Sequence, residues 1–255
     1  MSSYAGRYAE LYDTFYADKP YADEAAFVHS CLQKYSVGTT KRLLELACGT
    51  GSHALALEKF GYEIVATDYS NDMLARARHK AIQASSTVDF RWQDMRALDL
   101  PDLPFDAVIC LFDSIGHVET NDALTQVFQG VHRHLRPTGL FIFEFWHAGA
   151  MLRSYEPVRI RRWFMPEGEL LRISETTLEC ARQLCHVTYT VYEMRNDRTY
   201  SSFKETQVNR FFLLQEMAGW LSSKSFTPLK WFAGFTEDED ITEDTWHVVA
   251  ISRRP

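Results

Sequence analysis

Glu45, Gly49, Gly51 and Asp68 have the residue types and spacing to hold a polar ligand. The first three stand in the run LLELACGTGSHALAL, which reads as an apolar strand, a glycine turn and the start of an Ala/Leu helix. Glycines at 49 and 51 permit a tight turn and close backbone approach of a ligand at the carboxyl edge of a sheet, where open α/β folds bind. A second apolar run, EIVATD, closes on Asp68, whose carboxylate can accept hydrogen bonds from both hydroxyls of a ribose. A dinucleotide-binding loop would carry a third glycine near Ala54 and no acid four residues before its first glycine, and Glu45 is such an acid. Purely structural roles compete at each position. Glu45 can be a strand-end carboxylate, Asp68 or Ser70 a helix cap, and His53 a packing residue behind the glycines. Cys180 with Cys185-His186 suggests a metal clip, but one pair without a second falls short of a ligand set, so no metal is expected.

These residues need a sheet to position them. From Arg42 to about Phe145, short apolar runs (RLLELAC, EIVATD, FDAVICLF, GLFIFEF) alternate with stretches of helical spacing, the pattern of βαβ units around a parallel sheet. From Arg159 to about Phe212 the period falls to two, with the turn-forming Asn196-Asp197 between the last two runs, as in an antiparallel insertion. Leu213 to Ser225 returns to helical spacing, and LKWFAGF and TWHVVAIS read as a hairpin closing the first sheet. The acidic run TEDEDITED between them reads as a solvated loop. The expected fold is α/β: a Rossmann-like, mostly parallel seven-stranded sheet with helices on both faces, plus the antiparallel insertion. The expected division is an N-terminal helical lid over 1–40, a core over 41–150 and 211–255, and the insertion over 151–210.

With 255 residues, 46% hydrophobic and 24% charged, the chain can bury a sizeable core, which excludes disordered, collagenous and coiled-coil classes. No apolar run nears the roughly 20 residues of a spanning helix, and Met1 to Glu10 lack a secretory layout. Five irregularly spaced cysteines suit reduced thiols, so a cytoplasmic chain away from membranes is expected. A net charge of −7 argues against nucleic acid as partner and favours a small molecule.

The run Glu45-Leu46-Ala47-Cys48-Gly49-Thr50-Gly51 resembles the glycine motif of class I S-adenosylmethionine-dependent methyltransferases. The resemblance continues in order through Asp68-Tyr69 and the helix start SNDML, then WQDMRAL, FDAVICLFDSIGHV and HLRPTGLFIFEF. It implies S-adenosyl-L-methionine as cofactor and S-adenosyl-L-homocysteine as product. It also implies cofactor contacts from Glu45, Ala47, Gly49 and Gly51 in the loop, from Asp68, Tyr69 and Met73 after the second strand, from Asp94 and Met95 near the adenine, and from Leu111 at the fourth strand. Within the family, the strand followed by S-I-G-H is similar to amino-sugar N,N-dimethyltransferases, and FDAVICL with its histidine to glycine N-methyltransferase. Both act on small amines. The Asn/Asp-Pro-Pro-Tyr/Phe tetrad of nucleic-acid base methylation is absent.

Methyl transfer from a sulfonium is an in-line displacement that needs a neutral nucleophile, whereas an amine arrives mostly protonated. A histidine can take that proton, and His117, just past the fourth strand, is the candidate; its structural alternative is a capping or core imidazole. Tyr4, Tyr8, Tyr12 and Tyr16 recur every fourth residue, which on a helix makes one aromatic face. YAGRYAELYD resembles the lid segment of the amino-sugar enzymes, which implies a catalytic role for Tyr4 and a cofactor contact for Tyr12. Arg153, Arg159, Arg161, Arg162 and Arg172 would suit a carboxylate or diphosphate on the acceptor if they point inward, and solvent if they do not. In the amino-sugar enzymes such an insertion serves acceptor binding and dimer contacts, so a homodimer is allowed. The expected function is methylation of a small-molecule amine, amino sugar or amino-acid-like. O- or carboxyl methylation by the same core and a noncatalytic adenosine-nucleoside-binding scaffold are the alternatives.

Overall fold

The computed structural model describes residues 4–101 and 104–255. The secretory-signal reading and the proposed lid therefore begin in part outside the described residues, at 1–3. Strands β1 (Arg42–Leu46), β2 (Glu63–Asp68), β3 (Asp89–Trp92), β4 (Phe105–Cys110) and β5 (Leu135–Trp146) are parallel. Four strands follow that form a sheet of their own: β6 (Val158–Met165), β7 (Gly168–Glu179), β8 (Leu184–Arg195) and β9 (Tyr200–Arg210). The chain then returns with β10 (Thr227–Ala233) and β11 (His247–Arg253), an antiparallel pair that joins the first sheet along β5. The seven-stranded order is β10-β11-β5-β4-β1-β2-β3, so the strand order reverses at β1, beside β4. A ligand crevice forms outside the carboxyl ends at such a switch point.

Helices α1 (Gly6–Phe15), α2 (Tyr21–Tyr35), α3 (Ser52–Glu58), α4 (Asn71–Ala84), α5 (Asn121–His134), α6 (Ala148–Ser154) and α7 (Leu214–Ser223) complete the chain. Alternate residues of the same strands feed two cores. Leu43, Ile109 and Ile142 pack with Val28 and Leu32 of α2 and Leu57 of α3. Leu44, Val108, Phe141 and Phe143 pack with Leu124 and Phe128 of α5 and Leu221 of α7 on the other face. Burial on both faces explains the continuous apolar runs, and each such side chain contributes about 1.5–3 kcal/mol. Ser70 starts α4 by accepting the Met73 amide at 3.3 Å, and Thr120 starts α5 by accepting the Ala123 amide at 3.2 Å. Among the described residues, no helix is long and apolar enough to cross a membrane.

The antiparallel sheet runs β6-β7-β8-β9. Val191 on β8 and Leu170 on β7 share a small core with Tyr8, Leu11 and Phe15 of α1 and Met73 of α4, so α1 packs between the second sheet and α4. The even tyrosine spacing misled in one respect. Only Tyr8 and Tyr12 lie on α1; Tyr4 precedes it at φ +61° and Tyr16 is its C-cap. Long-range bonds override the helical period there: the Tyr4 amide donates to Glu205 Oε1 at 2.5 Å and the Gly6 amide to Asp72 Oδ2 at 2.6 Å. Tyr4 still reaches the aromatic cluster, its ring centroid 5.9 Å from that of Tyr8 and 6.1 Å from that of Tyr12.

Candidate active site

Past β1 the chain turns through Ala47, Gly49 and Gly51, all at positive φ. At Gly51 (φ +77°) space also decides, since a Cβ would stand 2.6 Å from the Phe90 ring. The Gly49 amide donates to Asp68 Oδ2 and the Ser70 amide to Oδ1, each at 2.8 Å. One buried carboxylate thus ties the glycine turn to the start of α4. Burial raises the Asp68 pKa above the ordinary carboxylate value, and the backbone donors oppose that rise. Glu45 is 2% exposed, and its Oε2 has no hydrogen-bond partner among the described residues. Its burial, aided by the nearby Asp68 charge, pushes its pKa up to about 8. A buried carboxyl with one orphaned oxygen beside an open cleft is a fit for a cationic ligand group.

On the other side of the cleft, β4 ends at Cys110, and Phe112 and Asp113 turn at φ +54° and +56° into a short 3₁₀ turn, Ser114–His117. A Cβ on Gly116 would fall 1.9 Å from Asn209 Oδ1 and 2.8 Å from the Arg210 carbonyl oxygen. The glycine of SIGH therefore lets β9 dock onto this turn. Docking brings His117 Nδ1 to 2.9 Å from the Val208 carbonyl oxygen, and Nε2 to 3.0 Å from the Tyr4 hydroxyl. A carbonyl can only accept, so Nδ1 carries the proton and Nε2 presents a lone pair. Burial lowers the His117 pKa, favouring this neutral form. Burial raises the Tyr4 pKa well above its ordinary value, so the phenol keeps its proton. Its hydroxyl also lies 3.0 Å from Gln207 Oε1, and the Gln207 amide nitrogen donates to Glu205 at 3.4 Å. With one hydrogen and two acceptors, Tyr4 can donate to Gln207 and leave the imidazole lone pair to another donor.

Beneath this end lie the carboxylates of Asp113 and Glu144, each 2% exposed. His247 Nδ1 is 2.9 Å from the first and 3.0 Å from the second. The Asp113 charge, against the opposing effect of burial, raises the His247 pKa to about 11; burial raises that of Glu144. Glu144 also accepts the Phe112 amide at 2.6 Å, which fixes the strained exit from β4. On the glycine-turn side, His53 is more than packing: its Nε2 meets Glu24 Oε2 at 2.6 Å, and it faces the cleft.

Tyr4, Tyr12, Glu45, Ala47, Gly49, Asp68, Tyr69, Met73, Leu111 and His117 all line one open cleft, whose free space, solvent at the mouth included, is about 940 Å³. Gly51, Asp94 and Met95 are not part of that wall. Asp94 instead accepts the Arg96 amide at 2.9 Å and pairs with the Arg96 guanidinium, which lowers its pKa. Asp113 and Tyr16 also line the cleft, as do Tyr189, Gln207 and Asn209, which carry no local motif and are gathered only by the docking of β8 and β9.

A protein-family model described as a methyltransferase domain matches residues 43–139. YqeM of Bacillus subtilis is 27% identical over 91% of this chain and 90% of its own. The dTDP-4-amino-2,3,4,6-tetradeoxy-D-glucose N,N-dimethyltransferase of Saccharopolyspora spinosa is 29% identical over 80% of each chain. A solved S-adenosylmethionine-dependent methyltransferase from Clostridium acetobutylicum shares the fold at a TM-score of 0.82, with 22% identity and 97% of both chains covered.

Proposed function

We propose that this chain, a class I S-adenosylmethionine-dependent methyltransferase, methylates an amine nitrogen of a small acceptor of the amino-sugar class, consuming S-adenosyl-L-methionine and releasing S-adenosyl-L-homocysteine. The bound donor supplies an electrophilic methyl group on a sulfonium. Gly49 allows the close backbone approach, Gly51 holds the turn against Phe90, Asp68 offers acceptors to a ribose, and Glu45 meets the α-ammonium with its orphaned oxygen. Tyr12, Tyr69, Met73 and Leu111 wall the same cleft, and α1 serves as its lid. Asp94 and Met95 join the adenine contacts only if the Asp94–Arg96 pair opens.

The observation that carries the amine reading is the His117 arrangement. Its tautomer is fixed by Val208, its Nε2 lone pair faces the Tyr4 hydroxyl, the residue lines the cleft, and burial favours its neutral form. Such an imidazole can take the proton of an ammonium acceptor, while Tyr4 and Gln207 orient the nitrogen. The N,N-dimethyltransferase relative supports the same acceptor class. The test is single-turnover methylation of amino sugars by parent and His117→Asn. The variant should lose roughly 10²–10⁴-fold in rate with donor affinity nearly unchanged. An unchanged rate would remove His117 from the chemistry, and methylation confined to hydroxyl or carboxyl acceptors would overturn the amine reading.

A further inference from the structure

A base at His117 needs its lone pair free, yet the Tyr4 hydroxyl, 3.0 Å from Nε2, would occupy that lone pair by donating to it. The direction of the Tyr4 hydrogen is decided further out. Gln207 of β9 places Oε1 3.0 Å from the same hydroxyl, and its Nε2 donates to Glu205 Oε1 at 3.4 Å. Glu205 and Gln207 pair with Tyr189 and Val187 of β8, so both project from one face of the sheet. Tyr189, Val187 and Gln207 line the cleft, and Glu205 stands behind that wall.

A side-chain amide turned round exchanges its carbonyl for its NH₂ group without changing shape, whereas a carboxylate only accepts. With Glu205 in place the NH₂ of Gln207 must face it, because the reverse sets a carbonyl oxygen against a carboxylate oxygen. Oε1 is then left to face Tyr4, the phenol donates to it, and the His117 lone pair stays open. Glu205 is itself held, since Oε1 also accepts the Tyr4 backbone amide at 2.5 Å. Burial raises its pKa, and those two donors oppose the rise.

The same order suits the protonated imidazole. When an ammonium acceptor gives its proton to Nε2, the N–H electron pair stays on the acceptor nitrogen. Nε2–H can then donate to the Tyr4 oxygen, Tyr4 O–H to Gln207 Oε1, and Gln207 Nε2–H to Glu205. All donors point one way and the chain ends on a carboxylate, an arrangement in which hydrogen bonds reinforce one another. Burial opposes protonation of His117, while the Val208 carbonyl and the Glu119 charge favour it. Asp113 and Glu144 are paired with His247 instead.

We propose that Glu205 is a positioning residue for the transfer: through Gln207 and Tyr4 it keeps the His117 lone pair open to the acceptor's proton, then stabilises the imidazolium. This rests on reading His117 as the base, but its first test needs neither acceptor nor turnover. The His117 ring is titrated by NMR, with isotope-labelled histidine, in the full chain saturated with S-adenosyl-L-homocysteine, for the parent, Glu205→Gln, Tyr4→Phe and the double variant. Glutamine has the shape of Glu205 at a part-exposed position outside the cleft wall, so Glu205→Gln should keep its fold and its product affinity. It can donate to Gln207 Oε1, turn that amide round and send the Tyr4 hydrogen to His117. The His117 midpoint should therefore move about 0.5–1 pH unit lower. Tyr4→Phe cuts the chain and should move it similarly, with no further change in the double variant. Single-turnover methylation by Glu205→Gln should slow about tenfold. An unchanged His117 titration in either single variant, or shifts that add in the double variant, would overturn the proposal. Shifts as expected without any amine turnover would overturn the transfer reading, and with it this role, while leaving the order of the hydrogen-bond chain established.

Discussion

Binding of the donor or its product should expel a proton from Glu45. Its carboxyl is held up to about 8 by burial and by the charge of Asp68, so at pH 7 about nine-tenths of the molecules carry that proton. An α-ammonium meeting Oε2 favours the ionised form, as an opposite charge in contact does, and the proton leaves for solvent. The free α-amino group titrates near 7.7–8.0 and takes up about 0.1–0.2 proton when bound as ammonium. Net release is then about 0.7–0.8 proton at pH 7 and close to one at pH 6. By linkage the same count is the slope of log affinity against pH, so affinity should rise about eightfold, about 1.2 kcal/mol, from pH 6 to pH 7. Calorimetric titration with S-adenosyl-L-homocysteine in phosphate and in Tris separates proton release from intrinsic heat, because the two buffers differ in ionisation enthalpy. In Glu45→Gln the release should vanish, leaving the small uptake by the ligand and an almost flat pH dependence. Tight binding by the parent with no buffer dependence, or equal proton release by the variant, would refute the pairing of Glu45 with the ammonium.

Asp68→Ala removes an acceptor for ribose hydroxyls and also frees the Gly49 and Ser70 amides, so donor affinity should fall by about 1.5–3 kcal/mol, read by the same calorimetry. Because burial lowers the His117 pKa, the unfolded chain binds a proton at a pH where the folded chain does not; its neutral form therefore stabilises the fold above the ordinary value of about 6.5, and this contribution is lost as pH falls toward the lowered folded value. The single-turnover rate of the loaded enzyme should accordingly show an acid limb below about 6.5 that is missing in His117→Asn. Gly116→Ala forces β9 away from the SIGH turn and should cost about 1–3 kcal/mol in denaturant unfolding, together with turnover, while the glycine loop still binds the product; unchanged stability would contradict the packing at Asn209.

The features legible in the sequence are those written in contiguous residues. Glycines at 49 and 51 mark backbone that other residues adopt at a cost, Asp68 closes an apolar run, and the change from mixed βα spacing to a period of two marks where one sheet yields to another. The seven-stranded sheet, the antiparallel insertion and the closing hairpin follow from that local pattern. Position after the fourth strand singled out His117, but its partners could not be read from the sequence, because Tyr4 and Val208 come from opposite ends of the chain. Asp113, Glu144 and His247 are joined only because β4, β5 and β11 are neighbours in the sheet. Tyr4 joins the aromatic cluster from outside α1, held by bonds to Glu205 and across to β9 rather than by helical period. Asp94 has the right neighbours in sequence, yet its carboxylate is taken by Arg96. Arg153, Arg159, Arg161, Arg162 and Arg172 look alike as text, since an alternating strand gives the same signature whichever face is buried. Burial and the reach of a hydrogen bond depend on distances through space, and those exist only once the two sheets and α1 have packed: Arg172 loses its solvent among four rings while Arg161, directly across the ladder, keeps it.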